Sequence, residues 1–113
     1  MIKDKILEYK KLNPSLTYYD LVKIFGLSLV NLFNLLEINN YKIDKFNQLR
    51  FYDTKGNVTY IENWDSSWDK FEYDTNDKLI YTENSNGVWC KWGHDANGKL
   101  VYEKHSNGYK YKF

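Results

Sequence analysis

Apolar positions in this chain keep two rhythms. Up to residue 36 they recur every three to four residues, and from about residue 49 they alternate one in two between clusters of Asn, Asp and Gly. The first rhythm predicts amphipathic helices and the second predicts strands with one face buried. Ile2, Ile6 and Tyr9 fall at i, i+4 and i+7, which predicts a first helix that ends at Asn13-Pro14, because the residue before proline is pushed out of the helical region. Thr17 is placed to cap a second helix with Asp20 at its third position, and Leu16 and Leu21 have the spacing of a hydrophobic staple. Gly26 is the expected stop, where the chain turns left-handed. Ser28 then caps a third helix, with Leu27 and Leu32 repeating the staple.

From Tyr52 the sequence repeats every 21 residues: YDTKGNVTYIENWDSSWDKFE, YDTNDKLIYTENSNGVWCKWG and HDANGKLVYEKHSNGYKYKF. A unit of that length is one supersecondary element that completes its core only by stacking on its neighbours. Seven strands are predicted, near 49 to 53, 57 to 63, 68 to 74, 78 to 84, 88 to 94, 99 to 105 and 109 to 113. The links 54 to 56, 75 to 77 and 96 to 98 suit three- to five-residue hairpins, while Asn86-Gly87 and Asn107-Gly108 suit tight two-residue turns. Strict alternation puts Val58 with Tyr60, Leu79 with Tyr81 and Leu100 with Tyr102 on one face, and the helices are expected to cover one side of the sheet. The fold class is therefore α+β. A three-helix segment, residues 1 to 40, packs with an antiparallel meander of 21-residue repeats, residues 41 to 113.

Charge adds a constraint. Sixteen basic residues against fifteen acidic ones leave no overall field to draw the chain to nucleic acid or an anionic membrane. The opening MIKDKILEYKKL has no unbroken apolar run, so neither a secretory signal nor a membrane span is expected, and the cytosol of a bacterial host is the expected location. Cys90 is a single cysteine, which agrees with a reducing compartment and a packed or half-exposed strand position. Heavy use of Asn, Lys, Tyr and Ile points to an AT-rich genome, bacterial or viral.

The stretch LTYYDLVKIFGLSLVNLFNLLEI resembles the helix-turn-helix of sigma-like and repressor-like DNA-binding proteins, with Gly26 in the turn. That resemblance would turn Ser28, Leu29, Val30, Phe33 and Asn34 toward DNA. None of them is basic, and Lys23 is the only cation between Ser15 and Asn40, so tight sequence-specific DNA binding is not expected. Leu29, Val30, Phe33 and Leu36 either bury against the sheet or leave a docking face for a protein partner. The repeats resemble the YD repeats of bacterial RHS-type proteins at Tyr52-Asp53 and Tyr73-Asp74, departing at His94-Asp95. Three units are too few to form the enclosing shell of that family.

Candidate chemistry is sparse. Asp53, Asp74 and Asp95 open turns, where an aspartate bonds the backbone two residues on. His94 and His105 take structural slots of the repeat, and no phosphate loop, metal-ligand cluster or nucleophile elbow is present, so no cofactor, no metal and no catalytic group are expected. Trp64, Trp68, Trp89 and Trp92 either close a small core as cross-strand pairs or form a ladder for sugars or unpaired bases. A neutral, aromatic, compact chain of this kind is expected to be a non-enzymatic binding protein. In size and style it is similar to phage- or mobile-element-encoded inhibitors of bacterial defence, including anti-CRISPR proteins. That resemblance implies a larger bacterial protein or ribonucleoprotein as partner, with a type II or type VI CRISPR effector as first candidate. The expected contact residues are Leu29, Val30, Phe33, Trp64, Trp89 and Trp92, with Lys104, Lys110 and Lys112 available to a nucleic-acid-binding groove on the target. The alternatives are a small helix-turn-helix transcriptional regulator and an aromatic module for glycans or nucleic acids.

Overall fold

A computed structural model describes residues 1–113. Three helices, α1 (Ile2–Leu12), α2 (Tyr18–Phe25) and α3 (Leu29–Leu36), precede eight strands: β1 (Tyr41–Ile43), β2 (Leu49–Tyr52), β3 (Val58–Glu62), β4 (Trp68–Tyr73), β5 (Leu79–Asn84), β6 (Trp89–His94), β7 (Leu100–His105) and β8 (Lys110–Lys112). The strands form one antiparallel sheet in chain order, and the molecule measures 53 × 29 × 26 Å. The helix ends are built as the sequence predicts. Thr17 and Asp20 exchange both bonds of a capping box, Gly26 ends α2 at φ 65°, and Ser28 accepts from the Asn31 amide.

The sheet has one strand more than the sequence predicts. β1 is only three residues long, and the turn that follows it, Asp44 to Gln48, is built like all the later ones. In each of seven turns the first residue's N–H donates to the carbonyl of the fifth, and the fourth residue's N–H donates to the carbonyl of the first. Asp44, Asp53, Asp74, Asn84 and Asp95 also accept two amides on one side-chain oxygen. The fourth residue is always left-handed: Asn47, Gly56, Ser66, Asp77, Gly87, Gly98 and Gly108. The links at Asn86-Gly87 and Asn107-Gly108 are therefore not tight two-residue turns. Only their glycines take positive φ, so they share the longer geometry, in which three turn residues end in a left-handed one.

The faces of the sheet also depart from strict alternation. Tyr60 lies opposite Phe51 but Val58 lies opposite Tyr52, which leaves Thr59 as an extra residue in β3. Ile80 and Val101 are extra in the same way, each 21 residues further on. Because neighbours on a strand point to opposite faces, the bulge separates Val58 from Tyr60, Leu79 from Tyr81 and Leu100 from Tyr102.

The core lies at one end. Ile6, Tyr19, Leu21, Val22, Leu29, Leu32 and Phe33 from the helices close over Leu49 of β2, with Tyr41, Ile43 and Phe51 beside them. Helices and sheet thus share one core, and the change at residue 40 divides structure types rather than cores. The last buried residue of the chain is Glu62. The helices cover only the first strands, so the expectation of a sheet covered along one side holds for that end alone. From β4 to β8 the protein is a single layer.

Candidate interaction surface

Cross-strand partners share a face, so the register sorts the side chains. Leu49, Phe51, Tyr60 and Glu62 lie under the helices, and the same face continues into the open sheet as two rows. One runs Tyr60, Lys70, Glu83, Trp89, and the other Glu72, Tyr81, Lys91, Lys104, Lys110. Lys112 lies opposite Tyr102 on this face. Tyr102 also lies opposite Gly93, where a Cβ would run into its ring.

At the covered end this face holds a helix by its N-terminus. Glu62 accepts the amides of Tyr18 at 3.1 Å and Tyr19 at 2.7 Å and the hydroxyl of Tyr60 at 2.6 Å. These are the free first-turn donors of α2, so a carboxylate there satisfies them and meets the positive end of the helix. Burial raises the Glu62 pKa above its ordinary 4.5, and burial and the nearby Glu62 push Tyr19 up to about 12. One repeat further on, Tyr81 donates to Glu83 at 2.7 Å, with no helix above them.

The open end is cationic. Lys91, Lys104 and Lys110 lie directly opposite one another on β6, β7 and β8. None of them, nor Lys112, joins any of the chain's ion pairs, which are Lys3–Glu37, Arg50–Asp44, Lys55–Asp77, His94–Asp74 and His105–Glu103. The ammonium of Lys91 sits 5.1 Å from the Trp89 ring centre, and that of Lys104 sits 5.5 Å from the Tyr102 ring centre.

The structure distributes the expected contact residues over several places. Leu29 and Phe33 are in the core, at 7% and 0% exposure, so of the α3 set only Val30, half exposed, is free for a partner. This also removes two of the five side chains that a helix-turn-helix would present to DNA, although α2 and α3 do meet at 103°. Trp64 stands in the β3–β4 turn with its ring edge-on to Tyr19 and beneath Lys23. Trp68 and Trp89 share the lysine face but are separated by β5. Trp92 lies on the opposite face, its ring N–H donating to Glu103 at 2.9 Å. Four tryptophans therefore make no continuous ladder.

That opposite face holds an arrangement the sequence does not advertise. Cys90 Sγ is 3.0 Å from His105 Nδ1, and His105 Nε2 is 3.1 Å from Glu103 Oε1. The order thiol, imidazole, carboxylate allows a proton to pass from sulfur to nitrogen, with the far nitrogen held. Acyl transfer needs in addition two amides aimed at an oxyanion. Cys90 stands inside β6, paired with Thr82 and with His105, where main-chain N–H groups serve the ladder. The two nitrogens of His105 point to opposite partners, and no three potential ligands converge on a metal. The trace in the sequence is the separation of 15 residues between Cys90 and His105, which pairs them only once the β6–β7 turn and its bulge are known. No single helix is long and apolar enough to cross a membrane. No protein-family model matches the chain, and no curated protein matches it.

Proposed function

We propose that the protein is a non-enzymatic binding protein that occupies a larger bacterial ribonucleoprotein stoichiometrically, as a mobile-element inhibitor of the anti-CRISPR kind. The observation that carries this reading is the single-layer sheet from β4 to β8. It presents ordered aromatic and charged side chains on two open faces and gathers no acid, base and oxyanion donors into a closed cleft. Rows fixed by strand register are well suited to recognition, because a partner meets side chains that are already ordered. The regulator reading has less support, since Leu29 and Phe33 of the would-be reading helix are core residues.

Titration against a purified type II or type VI effector tests the proposal. Nuclease activity should fall linearly to an endpoint at a fixed molar ratio and return when the protein is removed. Loss of activity at far below equivalence, with a covalently changed effector left behind, would overturn it and direct attention to Cys90, His105 and Glu103.

A further inference from the structure

Like charges set directly opposite each other across strands repel, and neighbouring strands are only about 4.8 Å apart. Lys91, Lys104 and Lys110 occupy three such positions in succession, with Lys112 two residues along from Lys110 on the same face. The repeat shows how the cluster arises. Positions 62 and 83 are Glu where the third unit has Lys104, and positions 68 and 89 are Trp where it has Lys110, while Lys70, Lys91 and Lys112 are common to all three. In the second unit Glu83 faces Lys70, and in the third Lys104 faces Lys91. These two differences between the units leave a patch of four cations at the β6–β8 end.

The rings of Trp89 and Tyr102 offset part of the repulsion by lying under the ammonium groups of Lys91 and Lys104. No carboxylate comes within ion-pair distance of the four ammonium groups, and with a net charge of +1 the cluster is not the by-product of a basic protein. A groove that binds nucleic acid is itself lined with cations, so it would repel these lysines. Their complement is the nucleic acid within it.

We propose that the β6–β8 end of this face is a binding site for the phosphate backbone of single-stranded nucleic acid. It rests on the reading above only in taking that strand to be the one carried by the target ribonucleoprotein. A single strand is favoured over a duplex because lysines that track phosphates here stand beside ring faces on which an unpaired base can stack once the ammonium moves to a phosphate. Paired bases would leave those rings idle.

The test uses the full chain and labelled oligouridine and oligothymidine of about 12 nucleotides, within the range of single-strand sites on small sheet proteins. Fluorescence anisotropy should show binding at low salt that weakens with a log–log slope of about −3, from about −0.7 per phosphate engaged by the four lysines. Lys104→Glu with Lys110→Glu should weaken binding at least about tenfold and roughly halve the slope. The neutral pair Lys104→Gln with Lys110→Gln should halve the slope as well. Both residues are exposed, so thermal melting should stay near that of the parent. Lys5→Glu with Lys11→Glu on α1 should change neither quantity.

Three outcomes overturn the site: no binding at low salt, tighter binding to a duplex of the same length, or equal binding to oligoglutamate, which would point to an acidic protein surface. The two proposals fail separately. An effector inhibited at a fixed ratio by a protein that binds no oligonucleotide leaves the function and removes this site. Oligonucleotide binding with no effector inhibited does the reverse.

Discussion

The two ends of this sheet share one strand-and-turn plan and are held by different physics. At the covered end, strands β1 to β3 lie under three helices, and stability comes from side chains removed from water: Phe33, Leu32, Leu49 and Ile6 are fully buried. At the open end no side chain is buried, and the strands depend on ladder hydrogen bonds, half-covered rings and turns that satisfy their own amides. One strand-and-turn plan can thus be a core component at one end of a sheet and a surface lattice at the other. What changes is the pair two residues apart on β2, Leu49 and Phe51, whose counterparts one unit on are Lys70 and Glu72.

The largest effect should come from deleting a phenylalanine ring at each end. Phe33→Ala should cost about 3–5 kcal/mol and lower the whole unfolding transition, because it leaves a cavity in the only core. Phe71→Ala on the open layer should cost about 1 kcal/mol and be felt mainly in hydrogen exchange of β4 and β5. Equal losses in chemical denaturation would mean that the open end hides a core of its own.

A smaller contrast is expected between the repeat-equivalent carboxylates. Glu62→Ala strands two amides and a hydroxyl out of water and should destabilise by about 2–3 kcal/mol, with protection lost first at Tyr18 and Tyr19. Glu83→Ala frees only the Tyr81 hydroxyl, which water can serve, and should change stability by less than about 1 kcal/mol. A Glu83→Ala protein as unstable as Glu62→Ala would show that the two carboxylates are not used differently.

The smallest effect is in pH. Backbone hydrogen bonds, led by those from Asn57 and Lys78, hold the Asp53 and Asp74 carboxyls below their ordinary 3.8. Their contribution is present above that value and is lost as pH falls through the depressed folded values. Glu62 runs the other way. Its folded pKa is raised by burial, so the burden of its charge is relieved as pH falls through that raised value, and relief is complete below 4.5. Side-chain carboxyl titration by NMR should therefore show the turns loosening in acid only after the helix–sheet junction has taken up its proton. A Glu62 that titrates below Asp53 and Asp74 would reverse the order.

Much of the covered end was legible because its signals are local. Thr17, Asp20, Gly26 and Ser28 act within four residues of themselves, and the structure uses each as its spacing predicts. Glu62 was not legible, since in an alternating strand a glutamate reads as solvent-facing and its amide partners lie 43 and 44 residues away. The bulges hid for a different reason. Thr59, Ile80 and Val101 fit an alternating pattern by composition, and only the pairing across β2, β4 and β6 reveals one residue too many. The same shift concealed the alignment of Cys90 with His105. The lysine face was half legible: Lys104, Lys110 and Lys112 stand out in the sequence, whereas Lys91, their cross-strand companion, joins them through register alone.

Seven turns of one construction, with a bulge at the same place in every unit, also make the sheet a spacer of adjustable length. Excising one whole unit, residues 74 to 94, would rejoin β4 to β7 through the turn that opens at Asp95, built as the one at Asp74 is. The helices would keep their seat on β1 to β3, and the distal lysines would move about 10 Å closer to them, two strand widths. Duplicating the unit would move them as far in the opposite direction. The distance between the folded head and the charged tip is thus written in the number of repeats, a quantity that gain or loss of one unit can change without redesigning either end.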